Sequence, residues 1–259
     1  MQLTAEKNLS LVAAGVAFYA ILAVFPALAA TIALWGLIGD PAQVLTQAED
    51  FKVLIPADIF ALIETQLLAL AQADGLALRW ASLVSFGFAL YTAQAGVSAL
   101  IKGLNTIYGA PNRGALRHTA TAFLLTLTLI GVALVAIACV VVAPAVLAFI
   151  PLGPLAGLGI EIARWAIALT VLLTGFGLVY RIGPNHAGPK PPLLSPGTGF
   201  AVLFWMAASV GFSLYLTNFN TYNRVYGSIG AVMAMLMWLY ITALLVLLGG
   251  ALNSRKPST

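Results

Sequence analysis

Five polar side chains recur along one stretch of this chain at the spacing of a single helix face: Tyr91, Gln94, Ser98, Lys102 and Asn105. At 100° per residue they fall within about 60° of one another and cover roughly 20 Å of helix length. Their chemistry is hydrogen bonding with one cation near the end. It suits contact with a solute or with a neighbouring helix, and it supplies neither a nucleophile with its base nor a set of metal ligands. Facing lipid the row would be costly, so it should face protein or water; a solute path and plain interhelical bonding account for it equally. On the same stretch Ala95, Ala99 and Gly103 form a small-residue ridge at four-residue spacing that permits close helix contact.

A second polar concentration is TNFNTYNRVYG at 217–227, with three Asn, two Thr, two Tyr and one Arg in 11 residues. Its chemistry-bearing members are Asn220, Tyr222, Asn223, Arg224 and Tyr226. Read as a short outer loop, it sets Tyr222 and Tyr226 at headgroup depth. Read as a partly re-entrant segment, it lines a cavity and offers Arg224 to a phosphate or carboxylate. The interfacial turn is the preferred reading. Arg181, beside Tyr180, either anchors a helix end or meets a lipid phosphate, and the anchor is the simpler assignment.

Catalysis has little to stand on. The chain contains no H-E-x-x-H, G-x-S-x-G or G-x-x-x-x-G-K-[ST], and its two histidines, His118 and His186, have no acidic residue nearby in sequence. Seven of its eight acids fall in one topological class of loop, away from any reactive pair. The expectation is a non-enzyme with no cofactor and no metal. The single cysteine, Cys139, sits in an apolar run and reads as an inert thiol. The twelve basic residues are scattered and form no stripe, which argues against nucleic acid despite a net charge of +4.

The elements that must position these residues are membrane spans. Hydrophobic residues make up 61% of the chain and charged residues 8%, with a mean hydropathy of +1.01; a water-soluble fold could not hide that apolar surface. Uncharged runs of about 20 residues can cross a hydrocarbon core of roughly 30 Å. Reading from charge to charge places spans at about 10–37, 80–101, 119–148, 162–181, 198–217 and 228–251. The whole of 1–259 is then one all-α, six-span membrane domain. The run after Lys7 is longer than a signal h-region and reads as a retained first span. Pro26 within it is a candidate kink. Arg164 falls in the first turn of the fourth span and must snorkel or face protein.

With the N-terminus inside, Lys7, Lys102, Arg113, Arg117, Arg181, Lys190, Arg255 and Lys256 are cytoplasmic, against Lys52, Arg79, Arg164 and Arg224 outside. That places both termini in the cytoplasm. Within the first outer segment, 38–79, Phe60, Ile63, Leu67 and Leu70 recur at helical spacing between Pro56 and Gly75, an amphipathic helix that either packs on the spans or lids a cavity. The loop at 182–197 holds five of the thirteen prolines and divides the spans three and three. N-x-x-Y-G occurs at 105–109, with Asn105 and Tyr108, and again at 223–227. Each follows the middle span of its half, on opposite sides, as an inverted 3+3 repeat would leave them.

AAGVAFYAILAVFP at 13–26, ALIKGLNTIYG at 99–109, VYRIGPN at 179–185 and FNTYNRVYGSIGAVMAMLMWLYITALLVLLGGALN at 219–253 together resemble the YihY/BrkB family of bacterial inner-membrane proteins, some once labelled a ribonuclease. The resemblance covers nearly the whole chain. It implies six spans in the cytoplasmic membrane and export or flipping of a small or amphipathic molecule, with Pro26, Asn105, Tyr108, Arg181, Tyr222, Asn223, Tyr226 and Gly227 at motif positions. The lead before the first span is short for the family, and LYTAQAG replaces a more usual Trp-Ser-Ala-Ser type of sequence. The expected partners are the lipid bilayer and a small solute or anionic lipid. Ala- and Gly-rich faces permit a homo-oligomer and equally suit packing within one bundle. Two functions fit: a transporter, exporter or facilitator whose path is lined by uncharged polar groups, or a membrane scaffold that uses the same groups for packing.

Overall fold

The computed structural model describes residues 8–38, 75–139, 154–186, 188–217 and 220–254. Among them lie six helices and no strand: α1 (Leu9–Ile38), α2 (Gly75–Tyr108), α3 (Ala115–Ile137), α4 (Pro154–Ile182), α5 (Pro196–Thr217) and α6 (Asn220–Ser254). All six are long and apolar enough to cross a membrane, so the chain has the all-α membrane architecture that its composition dictates. Residues 39–74 of the first outer segment and 140–148 of the third run lie outside the described residues, whereas 75–79, expected to belong to that segment with Gly75 as a helix stop, form the first turn of α2 instead.

The helix ends differ from the charge-to-charge reading for local reasons. α2 runs on to Tyr108 because nothing breaks it before Gly109, which takes φ 62°. Ala110 N–H then donates to Asn105 O at 2.9 Å and Gly109 N–H to Thr106 O at 3.4 Å, the paired bonds of a Schellman cap, whose left-handed position favours glycine. Lys102 and Asn105 are therefore helical, as their place in the polar row requires, and the helix runs past the expected span end at 101 to include Tyr108. α4 begins at Pro154, with Pro at the first helical position. Arg164 thus lies well inside the helix, where Glu161 one turn earlier binds it at 2.6 Å and its guanidinium sits 5.4 Å over the Trp165 ring.

The largest correction concerns 220–227. This stretch is the start of α6, neither an interfacial turn nor a re-entrant loop, because no Pro or Gly interrupts it before Gly227. The two N-x-x-Y-G copies consequently occupy unlike places, one closing a helix and the other lying within the first turns of one. The side chains of Asn220, Tyr222, Asn223, Arg224 and Tyr226 lie outside the described residues. Pro26 is accommodated inside α1, which is helical on both sides of it.

Each helix packs on its neighbours in chain order, and α6 returns to contact both α1 and α2, which closes a ring. Burial is uneven along that ring. Leu9, Ala13, Leu104, Ile107, Val179, Tyr180, Ala201, Val246 and Leu247 form the main core, and all lie toward the end where α1 begins and α6 finishes. Ile101, Ala122 and Leu125 extend it between α2 and α3. Toward the opposite end Leu134, Trp165 and Val210 of α3, α4 and α5 are exposed, while Ala89 and Thr92 of α2 and Ala234 of α6 stay buried. We call the packed end the termini end.

Helices α5 and α6 approach closely there at Gly197 and Gly249, beside the Tyr180 hydroxyl and the Asn253 side chain. A Cβ on Gly249 of α6 would stand 2.6 Å from the Gly197 carbonyl oxygen and 2.9 Å from Ala201 Cβ of α5, closer than packed atoms allow. Gly249→Val should therefore destabilise the protein by about 1–3 kcal/mol, read as a lower unfolding temperature in detergent. Gly211→Val, where nothing lies within 4 Å of the added carbon, should leave that temperature nearly unchanged.

Candidate functional site

The polar row on α2 is not uniform along its length. Asn105 is 1% exposed and Ile101 0%. Ser98 and Gln94, further along the same face, are half-buried, and Tyr91 is 66% exposed. Lys102, about 60° round the helix, is exposed. This face of α2 is thus sealed at the termini end and less covered away from it, although another face of α2 stays buried against its neighbours at Ala89 and Thr92.

The seal is hydrogen-bonded. Asn105 Nδ2 donates to Asn112 Oδ1 at 3.0 Å, and its Oδ1 accepts from the Asn185 N–H at 2.8 Å. Asn185 Nδ2 donates to Pro111 O at 3.0 Å. Arg113 donates to three carbonyls, Gly183 O at 2.6 Å, Pro184 O at 2.9 Å and Ile182 O at 3.2 Å. These lie at the C-terminal end of α4, where unpaired carbonyls and the helix dipole favour a cation. Burial lowers the Arg113 pKa from its usual value, yet a guanidinium keeps its proton. The loop after α2 and the loop after α4 are in this way tied together across the bundle.

Further bonds reinforce that end. Tyr180, fully buried on α4, donates to Val246 O of α6 at 2.8 Å. His186 Nε2 lies 3.0 Å from Tyr180 O, and its ring meets Tyr108 edge-on at 5.0 Å. Asn253 Oδ1 accepts from the Gly197 N–H at 2.7 Å. Ser195 caps α5, its Oγ accepting from Thr198 N–H at 3.2 Å, with Pro196 at the first helical position. Ser98 Oγ and His118 Nε2 lie 2.6 Å apart and join α2 to α3. Further from this end, Trp205 Nε1–H donates to Thr242 Oγ1 at 3.2 Å and joins α5 to α6.

Of the residues singled out from sequence, the structure brings Asn105, Tyr108 and Ser98 to this end. It leaves Tyr91, Lys102 and Arg181 exposed. Asn112, Arg113, Asn185, His186 and Asn253 were not singled out. The signal for them was present in GAPNR and GPNH, two Pro-Asn turns after spans, and in a lone amide closing the apolar run before Ser254. No group of three or more metal-ligating side chains occurs among the described residues.

Comparison with known proteins places this architecture. A family model described as "Virulence factor BrkB" matches residues 2–257. The chain is 30% identical over 179 residues to "Putative ribonuclease-like protein YfkH" of Bacillus subtilis, covering 66% of this chain and 65% of that one. It is 38% identical over 91 residues to a "UPF0761 membrane protein" of Xanthomonas campestris, covering 35% of this chain and 21% of that one. The matched stretch thus spans under two thirds of YfkH and about a fifth of the Xanthomonas protein. No solved structure matches.

Asn105→Leu keeps the volume but removes the acceptor of the Asn185 N–H. A loss of about 1–3 kcal/mol is expected, measured as a lower unfolding temperature in detergent. Lys102→Gln, at an exposed position, should change it little.

Proposed function

Because the chain belongs to the virulence factor BrkB family of membrane proteins, we propose that it moves a small solute or an amphipathic molecule across the bacterial cytoplasmic membrane, with both termini in the cytoplasm. The observation that supports this reading is the gradient on α2, where a polar face runs from 1% exposed at Asn105 to 66% at Tyr91. Thr128, Thr170 and Thr174, elsewhere on the exposed surface, turn their hydroxyls back to carbonyls of their own helix at 2.8 Å, as lipid-facing threonines do. Gln94 has no such recourse for its amide. It belongs in a wet vestibule rather than against acyl chains.

On this reading the vestibule opens away from the termini, and the Asn105–Asn185–Arg113 knot is its inner gate. A gate made of hydrogen bonds to backbone carbonyls can open by exchanging those partners for water, at modest net cost per bond. An apolar plug would instead have to expose its surface. No Asp or Glu occupies the described part of any helix except Glu161, so the pathway suits facilitated movement better than a carboxylate proton relay. The competing reading is a scaffold whose polar groups serve packing only. It draws on the same knot, since both amide atoms of Asn105 are already used.

Reconstituted vesicles separate the two. Efflux of trapped small anions and dithionite bleaching of fluorescent phospholipid should each be compared with protein-free vesicles. A transporter raises at least one rate, and Arg113→Gln, which loosens the gate, should raise it several-fold further. A scaffold leaves every rate at the protein-free value in both proteins.

A further inference from the structure

A cleft of about 720 Å³ opens at the termini end between the last turns of α2 and α6, the 183–195 loop and the start of α5. Its walls include Tyr108, His186, Pro189, Pro192, Leu252 and Asn253. Prolines lack an N–H and hold φ fixed, so this wall is stiff, apolar and without donors. Of the polar groups in the lining, Ser195 is engaged with Thr198 and Ser254 with Ala251 O, which leaves the unused capacity at one place. Tyr108 Oη and Asn253 Nδ2 are both buried and both lack a hydrogen-bond partner. They are neighbours in the wall, with the Asn253 amide reaching toward the Tyr108 oxygen without a hydrogen bond of full geometry, so the phenol O–H and an amide N–H remain to be used.

The amide orientation of Asn253 is not arbitrary. Its other atom faces the Gly197 N–H at 2.7 Å, which can only donate, so that atom is the carbonyl oxygen and the unpaired one is the NH2. His186 Nε2 is engaged by Tyr180 O. A buried donor without an acceptor costs free energy, and here an amide and a phenol O–H share that condition in one cleft. The formal charges described at this end are all basic: Lys102, Arg113, Arg117, Arg181 and Lys190. Among the described residues the only acid is Glu161, near the start of α4 and so toward the opposite end.

We propose that this cleft binds an oxyanion carried on an apolar body, a phosphate or carboxylate head accepting from Asn253 Nδ2 and Tyr108 Oη while its hydrocarbon part lies along the proline wall. The volume is that of a pocket for a small organic molecule rather than a bare ion. The pre-set prolines mean that little ordering accompanies binding. The site stands whether or not the protein moves anything across the membrane. Its ligand is either a soluble amphiphilic anion or the head of an anionic lipid, both presenting the same chemistry.

The test uses the full chain in nanodiscs of neutral phosphatidylcholine, titrated with hexyl phosphate and, as a charge control, hexyltrimethylammonium. The wild type should bind hexyl phosphate in preference to the cation. Asn253→Asp keeps the oxygen that accepts from Gly197 and replaces the NH2 by a carboxylate oxygen, so hexyl phosphate affinity should fall about tenfold or more. Tyr108→Phe should weaken it by a smaller factor. Unfolding temperatures without ligand, compared across the three proteins, establish that the variants are folded. Nanodiscs doped with phosphatidic acid identify the source: loss of apparent affinity for hexyl phosphate assigns the occupant to the bilayer, and no change assigns it to solution. Equal binding of phosphate and ammonium probes, or equal hexyl phosphate affinity in wild type and a folded Asn253→Asp, would overturn the proposal and leave water as the occupant. Binding that persists without flux would dismiss transport and keep the site.

Discussion

A buried amide must find partners where neither water nor lipid reaches it, and Asn105 meets that requirement by joining two loops that are 70 to 80 residues apart in sequence. The rest of the termini end follows from that demand. The loop after α2 must turn back at Gly109 to bring Asn112 and Arg113 round, and the loop after α4 must stay irregular at Gly183 and Pro184 to present carbonyls to the guanidinium. Apolar packing of Leu104, Tyr180 and Leu247 then fills the space that these bonds enclose.

The consequence is a bundle whose cohesion is unevenly distributed. In a bilayer the hydrophobic effect does not drive helices together, because lipid tails are as apolar as leucine; close packing of small residues and interhelical hydrogen bonds must do so. Here Gly197 against Gly249 and the polar bonds beside them supply both at one end. Away from it, α3, α4 and α5 present apolar side chains outward, with threonines bonded within their own helices. Among the described residues the side-chain bonding between helices is thus concentrated at one end, and it is on the proposed reading that the gradient along α2 takes a functional meaning.

The spans were legible in sequence because length and absence of charge are all that a bilayer asks of a helix. Helix ends were less so. The α2 end was obscured because Lys102 looked like a boundary, whereas a lysine near a membrane surface can extend its amine outward while the helix continues. The 220–227 stretch was read as a link because its side chains are polar, although polarity alone does not break a helix. The α2 polar row was visible from its period, but its division into a sealed part and an open part depends on which helices converge on Asn105. The Asn253 and Tyr108 pair was not legible at all, since 145 residues of sequence separate two side chains that share a wall.

The account turns on Gln94 facing water from one side only. With Cys139→Ser removing the native thiol, a Gln94→Cys protein in vesicles of known orientation can be treated with a membrane-impermeant maleimide from either side. Labelling from the side opposite the termini, and none from the termini side, is the expected result. A thiol that no aqueous reagent reaches would place the α2 face against lipid or protein, and one labelled from the termini side would put the seal at the wrong end; either outcome contradicts the account.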